Sequence, residues 1–461
     1  MTTPPKSGSF QNRLPRKPSG AGKPVARPRP LNLRAQVIQV LMKVTEGESL
    51  STLLPATLEK TSERDRGLVN ELVMGTLRHW FALEAVLTPR LARPLTDPLV
   101  EAVLHLGLYQ ILQTRIPPHA AISETVDAIK QLGLDKASGL VNALLRRALR
   151  EQAEIQDAFD AHHALPDWMA RRLQTDWGDA WQNIAQDLRQ SAPLFLRVNV
   201  RQRSRNGYLD ALALKQINAS STDSSSPAAI ELLQSTPIQS LPGYLEGWFS
   251  VQDLNAQRSC GLFEDEYFNG LNGKIVVDAC AAPGGKTAHL LERYDVASLI
   301  ALDSDSYRLK RVHENLNRLK LTSPSVTISA QDANLWQAPA PVDAILLDAP
   351  CTATGVLRRH PDIRLLRTPA DVTTTVKLQA RLLDHLWTQL APGGRLVYVT
   401  CSLLKAENED QIADFVSRTA DAIARPITAD WGLERPIGRQ CLPEPHGGDG
   451  FYFAVLDKRA K

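Results

Sequence analysis

Long apolar runs are missing from this chain of 461 residues. No stretch of about 18 consecutive apolar residues occurs, which argues against a membrane-spanning helix. The first residues hold no apolar core of the kind a secretory leader carries. Cysteine is scarce: five in all, at 260, 280, 351, 401 and 441. No two of them stand as C-x-x-C, which argues against a zinc knuckle or other metal centre and against a disulfide framework. A reducing cytoplasm is the expected compartment, with no membrane and no metal among the partners. Acidic residues are absent from positions 1–30, which carry seven Lys or Arg and seven prolines. A segment so poor in apolar side chains cannot offset the entropy of ordering itself, and 1–30 is expected to be a disordered basic arm. Such arms contact nucleic acid through its phosphates. The remainder holds 46 basic against 50 acidic residues and is close to neutral.

What is present points to two to four domains of ordinary globular composition, 43% apolar and 22% charged. From 33 to about 150 apolar residues recur every three to four positions, as in Ala35, Ile38 and Leu41. Asp97-Pro98 reads as an N-cap with proline at the first helical position. A bundle of about six helices is expected over 31–155. Its last turn presents Arg146, Arg147 and Arg150, which suit either an RNA surface or the negative end of a helix dipole. A small α/β connector is expected over 160–245, with a strand beginning at Leu194 and a Ser-rich turn at 220–226. Over 246–461 short β-rich runs at 274–279, 298–303, 342–348 and 395–400 alternate with helical patterns. That alternation predicts a doubly wound α/β sheet, in which ligands bind beyond the carboxyl ends of the strands.

Four clusters fall at those ends. The first is CAAPGGKT: Cys280, Ala281, Ala282, Pro283, Gly284, Gly285, Lys286 and Thr287. It finishes like a P-loop, yet Cys280 stands where that loop needs its first glycine, and no G-x-G-x-x-G is present. The glycines suit close approach to a nucleoside ligand without bulky phosphates. The second is Asp303, placed to accept from a ribose diol; Asp332, past the run 326–330, suits an adenine amino group. Together these fit S-adenosylmethionine. The third and fourth, Asp348-Ala349-Pro350-Cys351 and Thr400-Cys401, each put a cysteine just past a strand. A lone cysteine is most often a small buried hydrophobe, but two at adjacent strand ends, one beside an acid, point to thiol chemistry. From the residues alone either cysteine can be the nucleophile. Arg358, Arg359, Arg364 and Arg367 follow the third cluster and are candidates to clamp phosphates.

CAAPGGKT, LLDAPC (346–351) with TATGVLRRHPDIR after it, and TCSLLKAENE (400–409) resemble the motifs of the Sun family of RNA cytosine-5 methyltransferases. The region 33–150 resembles the NusB RNA-binding fold. The resemblance implies an all-α NusB-like bundle, a small α/β connector and a Rossmann-like, S-adenosylmethionine-dependent methyltransferase domain. It implies methylation of carbon 5 of a cytosine in 16S ribosomal RNA, free or in a partly assembled small subunit, by a monomer. It also implies Cys401 as nucleophile, Cys351 in product release, Asp348 in activating the base, and Cys280–Lys286, Asp303, Asp332 and Asp348 around the cofactor. A transfer-RNA methyltransferase and a non-catalytic RNA-binding assembly factor are the alternatives.

Overall fold

The structure, a computed structural model, describes residues 1–3, 31–222 and 225–460. The expected basic arm lies, from residue 4 onward, outside the described residues. Over 33–150 the chain forms seven α-helices: Leu33–Thr45, Leu50–Lys60, Glu63–Arg78, Trp80–Leu87, Pro98–Gln113, Pro118–Gln131 and Ser138–Arg150. Their starts are set locally. Asn32 accepts from the Ala35 amide at 2.7 Å, and Asp97 accepts from the Leu99 amide at 2.9 Å ahead of Pro98. These bonds satisfy amides that the first helical turn leaves unpaired. The helices close on one apolar core that includes Val37, Leu41, Leu72, Leu83, Leu104 and Leu145.

The connector carries β1 (Leu194–Val198), β2 (Ala219–Ser221), β3 (Ala229–Leu232) and β4 (Phe249–Val251). They form an antiparallel sheet in the order β2-β3-β1-β4. Because β4 pairs with β1, this sheet extends past the expected boundary at 245. Helices Asp167–Trp177 and Trp181–Arg189 precede it. Their apolar faces (Met169, Leu173, Ile184, Leu188) pack on Leu357, Ile363, Leu403 and Leu404. Those four residues follow the two cysteines, so the connector helices brace the loops at the site.

The large sheet is built from β5 (Ile275–Asp278), β6 (Ser298–Asp303), β7 (Val326–Ala330), β8 (Val342–Asp348), β9 (Leu390–Thr400), β10 (Ala422–Arg425), β11 (Leu433–Glu434), β12 (Arg439–Cys441) and β13 (Phe451–Lys458). Strands β7-β6-β5-β8-β9 are parallel, and β13 joins β9 antiparallel. The sheet is therefore mixed, and β10, β11 and β12 extend the antiparallel side. Cores lie on both faces, one around Leu299, Leu346 and Val399, the other around Val277, Ile345 and Tyr398. Sequence order reverses at β5, whose neighbours are β6 and β8. That switch opens a crevice at the carboxyl ends of the parallel strands.

Candidate active site

All five parallel strands deliver residues to that crevice. A cavity of about 450 Å³ there is lined by Cys280 and Ala282 after β5, Asp303 at the end of β6, and Asp332 and Asn334 after β7. Asp348 and Cys351 at the end of β8 and Cys401 after β9 complete it. A larger cavity, about 590 Å³ between residues 258–267 and 426–431, gathers none of these side chains.

Behind the cavity the first loop turns on Gly284, whose φ is +97°. A Cβ there would lie 3.1 Å from the Val312 Cα, so both backbone conformation and space call for glycine. Helix Gly285–Arg293 follows directly. The loop is tied to Asp303, whose carboxylate accepts from the Ala282 amide at 3.2 Å and the Asp305 amide at 3.0 Å. Arg308 ion-pairs with Asp303 at 3.5 Å and donates to the Ala282 carbonyl at 3.1 Å. Asp303 thus organises the loop as well as facing the cavity. Asp332 is exposed, and its Oδ1 accepts from the Asn334 amide and side chain at 2.9 and 2.8 Å. The Asn334 Oδ1 is buried and accepts no hydrogen bond.

Lys286 does not line the cavity. Its ammonium reaches Asp348 at 2.6 Å. Burial works against that charge, but Asp348, and after it Cys401, outweigh burial and raise the lysine. Asp348 is therefore an ion-paired carboxylate, an acceptor of hydrogen bonds with a proton-bearing lysine beside it. Deeper still, Asp278 accepts from the Thr287 hydroxyl at 2.6 Å, and burial pushes it up to about 7.

The two thiols meet: Cys351 Sγ and Cys401 Sγ are 3.4 Å apart. The hydrogen bond to Cys401, then burial, then the charges of Cys401 and Glu407 push the Cys351 thiol well above its ordinary range. Cys351 is thus held as a protonated thiol able to donate to Cys401. The loops that bear the pair are locked by backbone contact. The Gly355 amide donates to the Cys401 carbonyl at 2.9 Å, and the Gly450 amide donates to the Gly355 carbonyl at 3.0 Å.

Side chains absent from the sequence-based set complete the scaffold. Asn408 accepts from Thr400 at 2.5 Å and donates to the Ser402 carbonyl and to Gln440, both at 2.9 Å. Glu407 accepts from Thr352 and Ser402. Glu407 and Asn408 stand within TCSLLKAENE, but only the turn Lys405–Glu407 folds them back beneath the cysteines, and no periodicity announces such a turn.

The arginines divide, and two of the proposed phosphate clamps are corrected. Arg358 is fully buried, bonded to Asp449 at 2.5 Å and to the carbonyls of Glu444 and Gly447 at 2.7 and 2.8 Å. Arg364, 1% exposed, spends its donors on the carbonyls of Ala164, Leu357 and Leu188. Burial pulls it down to about 9. Both are buried and turned to protein carbonyls or a carboxylate, away from any RNA phosphate. Arg359 is largely committed to Asp253 and Asp449. Arg367, half-buried, stays available. Arg146, Arg147 and Arg150 are exposed, with Arg147 paired to Glu151 at 2.7 Å.

A parallel sheet with a glycine-bearing first loop, an acid closing the second strand and two thiols at the crevice defines an α/β group-transfer enzyme of the methyltransferase type. Comparison with known proteins makes the class specific. Residues 267–457 match the model of the 16S rRNA methyltransferase RsmB/F, 31–150 that of the NusB family, and 165–239 that of the RsmF/B-like ferredoxin-like domain. Ribosomal RNA small subunit methyltransferase B of Klebsiella pneumoniae subsp. pneumoniae is 41% identical over 93% of this chain and 99% of its own length. The protein of the same name from Pseudomonas putida is 42% identical with the same coverage. Among solved structures, a methyltransferase homolog from Pyrococcus horikoshii is 27% identical, with TM-score 0.56 over 64% of this chain and 96% of its own. PH0851 shares the fold over 92% of this chain and 99% of its own, with TM-score 0.75 at 21% identity. The chain belongs to the 16S rRNA methyltransferase RsmB/F family, and it is a methyltransferase.

Proposed function

We propose that this enzyme transfers a methyl group from S-adenosylmethionine to carbon 5 of a cytosine in 16S ribosomal RNA, free or in an assembling small subunit, with Cys401 as nucleophile. The observation that carries the reading is the pair of thiols 3.4 Å apart at adjacent strand ends on the crevice. Relatives more than 40% identical that bear the name ribosomal RNA small subunit methyltransferase B support the substrate.

The residues fit the cofactor. The crevice has room for a nucleoside, the first loop carries a glycine that no other residue replaces, and the unpartnered Asn334 Oδ1 supplies a buried acceptor beside Asp332. The loop 280–285, Asp303, Asp332 and Asp348 would hold it, with Lys286 fixing Asp348 from behind. S-adenosylmethionine, when bound, supplies an electrophilic methyl group.

Carbon 5 of cytosine is a poor nucleophile. A thiolate on Cys401 adding to carbon 6 makes carbon 5 enamine-like and able to accept the methyl group. Addition also pushes electron density onto the ring. Asp348 accepts from the exocyclic amine, and its Lys286 partner holds positive charge next to it. In release carbon 5 gives its proton to water, the carbon 6–sulfur bond breaks, and its electron pair leaves with Cys401 as a thiolate, which the protonated Cys351, 3.4 Å away, stabilises by donating to it. The cytosine reaches these groups by leaving its stack, at a cost of a few kcal/mol that is least for unpaired RNA. The test is tritium transfer from labelled S-adenosylmethionine to 16S RNA, with nucleosides resolved by mass spectrometry. The reading requires 5-methylcytidine in 16S RNA and none in transfer RNA; label on transfer RNA alone would overturn it.

A further inference from the structure

Beneath the two thiols lies a carboxylate to which the chemistry above gives no part. Glu407 is fully buried. Its Oε1 accepts from the Thr352 amide at 2.8 Å, and its Oε2 accepts from the hydroxyls of Thr352 and Ser402, both at 2.5 Å. Thr352 follows Cys351 and Ser402 follows Cys401, so one side chain joins both cysteine loops.

Backbone amides and hydroxyls surround this carboxylate. The Leu404 amide donates to Ser402 Oγ at 3.1 Å, and the Leu403 amide donates to Thr354 Oγ1 at 2.9 Å. Ser402 gives its one proton to Glu407, which leaves its oxygen an acceptor for Thr354, 3.1 Å away. Glu407 meets three donors and no acceptor, the environment of an ionised carboxylate. We propose that Glu407 is a positioning residue for the reaction: its carboxylate, bonded to both cysteine loops, sets the separation of Cys351 and Cys401.

Cys351 faces Cys401 and Glu407, and both push its thiol upward against the Ala353 amide. Burial pushes the Glu407 carboxyl up, while Ser402, Thr352 and then Arg367 favour its charged form. Tyr398 is pushed up by burial and then by Glu407. Cys401 in turn faces the Lys286 ammonium, which is paired with Asp348. Removing the Glu407 charge must therefore lower Cys351.

The inference rests on the proposed thiol chemistry, so its test begins with free enzyme. Iodoacetamide labelling of Cys351 and Cys401 is followed by mass spectrometry against pH, beside steady-state methylation. In Glu407→Gln the amide keeps the shape but cannot meet all three donors. Labelling of Cys351 should shift to lower pH, and kcat should fall about 10²-fold, the scale for a misplaced reacting group, with both KM values nearly unchanged. Glu407→Asp should restore the labelling profile. Wild-type kcat in Glu407→Gln, or an unmoved Cys351 profile in the folded variant, would overturn the proposal. Should Glu407→Gln fail to fold, Ser402→Ala and Thr352→Val take its place. Each must lower kcat, and normal turnover in both would overturn it equally. A wild-type enzyme unable to methylate RNA would sink the proposed function, yet the labelling profiles would still decide the role of Glu407.

Discussion

Replacing Gly355 by alanine probes how closely the cysteine loops must approach. An added Cβ would lie 2.1 Å from the Gly450 carbonyl oxygen, 2.7 Å from its carbon and 2.9 Å from the Cys401 carbonyl oxygen. An ordinary contact begins near 3.4 Å, so the backbones must part by about 1.3 Å. The atoms in the way are main chain and cannot swing aside as a side-chain tip would. Overpacking of this kind costs about 1–3 kcal/mol of stability. Its effect on rate should be larger, because the displaced carbonyl belongs to the proposed nucleophile. A shift of about 1 Å costs about 10²-fold in turnover. The assay pairs urea unfolding with single-turnover methyl transfer at saturating RNA and cofactor. A folded Gly355→Ala enzyme with wild-type single-turnover rate would refute the reasoning, since the thiols would then tolerate separation of their loops.

Four other outcomes follow. Asp303→Ala, which removes the acceptor of the Ala282 and Asp305 amides and the proposed ribose contact, should weaken S-adenosylmethionine binding by about 1–3 kcal/mol in calorimetry. His105 is fully buried, neither ring nitrogen has a partner, and burial pushes it down to about 3. The unfolded chain takes up a proton below its ordinary value of about 6.5 while the folded chain does not. Stability from this residue is thus intact above that pH and lost as pH falls toward 3, about 2 kcal/mol by pH 5; His105→Phe should flatten that slope in urea unfolding at pH 5 and pH 8. Arg364→Met should destabilise by about 2–4 kcal/mol by stranding three carbonyls, without changing the salt dependence of RNA binding. Arg367→Ala, by contrast, should lower the salt slope by about 0.7 for each RNA phosphate that its guanidinium neutralises.

Much of this site was legible because strand ends and glycines are local signals. The runs 274–279, 298–303 and 342–348 became β5, β6 and β8, and their last residues face one crevice because parallel strands end on the same side. Gly284 could be read because a tight turn into a helix needs it whatever surrounds it. Arg358 and Arg364 could not be read this way. In a loop dense with charge, an exposed cluster is the natural expectation. What buries Arg364 is a set of carbonyls 200 and 176 residues away, at Ala164 and Leu188. The docking of the helical domain was equally hidden: Leu50 donates its amide to Asp362 at 3.0 Å, and Arg78 donates to the Arg358 carbonyl at 3.1 Å. These bonds tie the first domain directly to the loop that follows Cys351. Glu407 was hidden for a related reason, because its partners are set by two loops that meet only in the folded sheet.

The central claim, that Cys401 attacks carbon 6 while Cys351 serves release, is tested most directly by trapping. Cys351→Ala and Cys401→Ala enzymes are each mixed with 16S RNA, with and without S-adenosylmethionine, and run on a denaturing gel. The account predicts a slow protein–RNA band for Cys351→Ala that requires both ligands, no band and no methylation for Cys401→Ala, and no band for the double variant. A band from Cys401→Ala with none from Cys351→Ala would reverse the roles of the two thiols, and full activity in both variants would contradict the covalent mechanism itself.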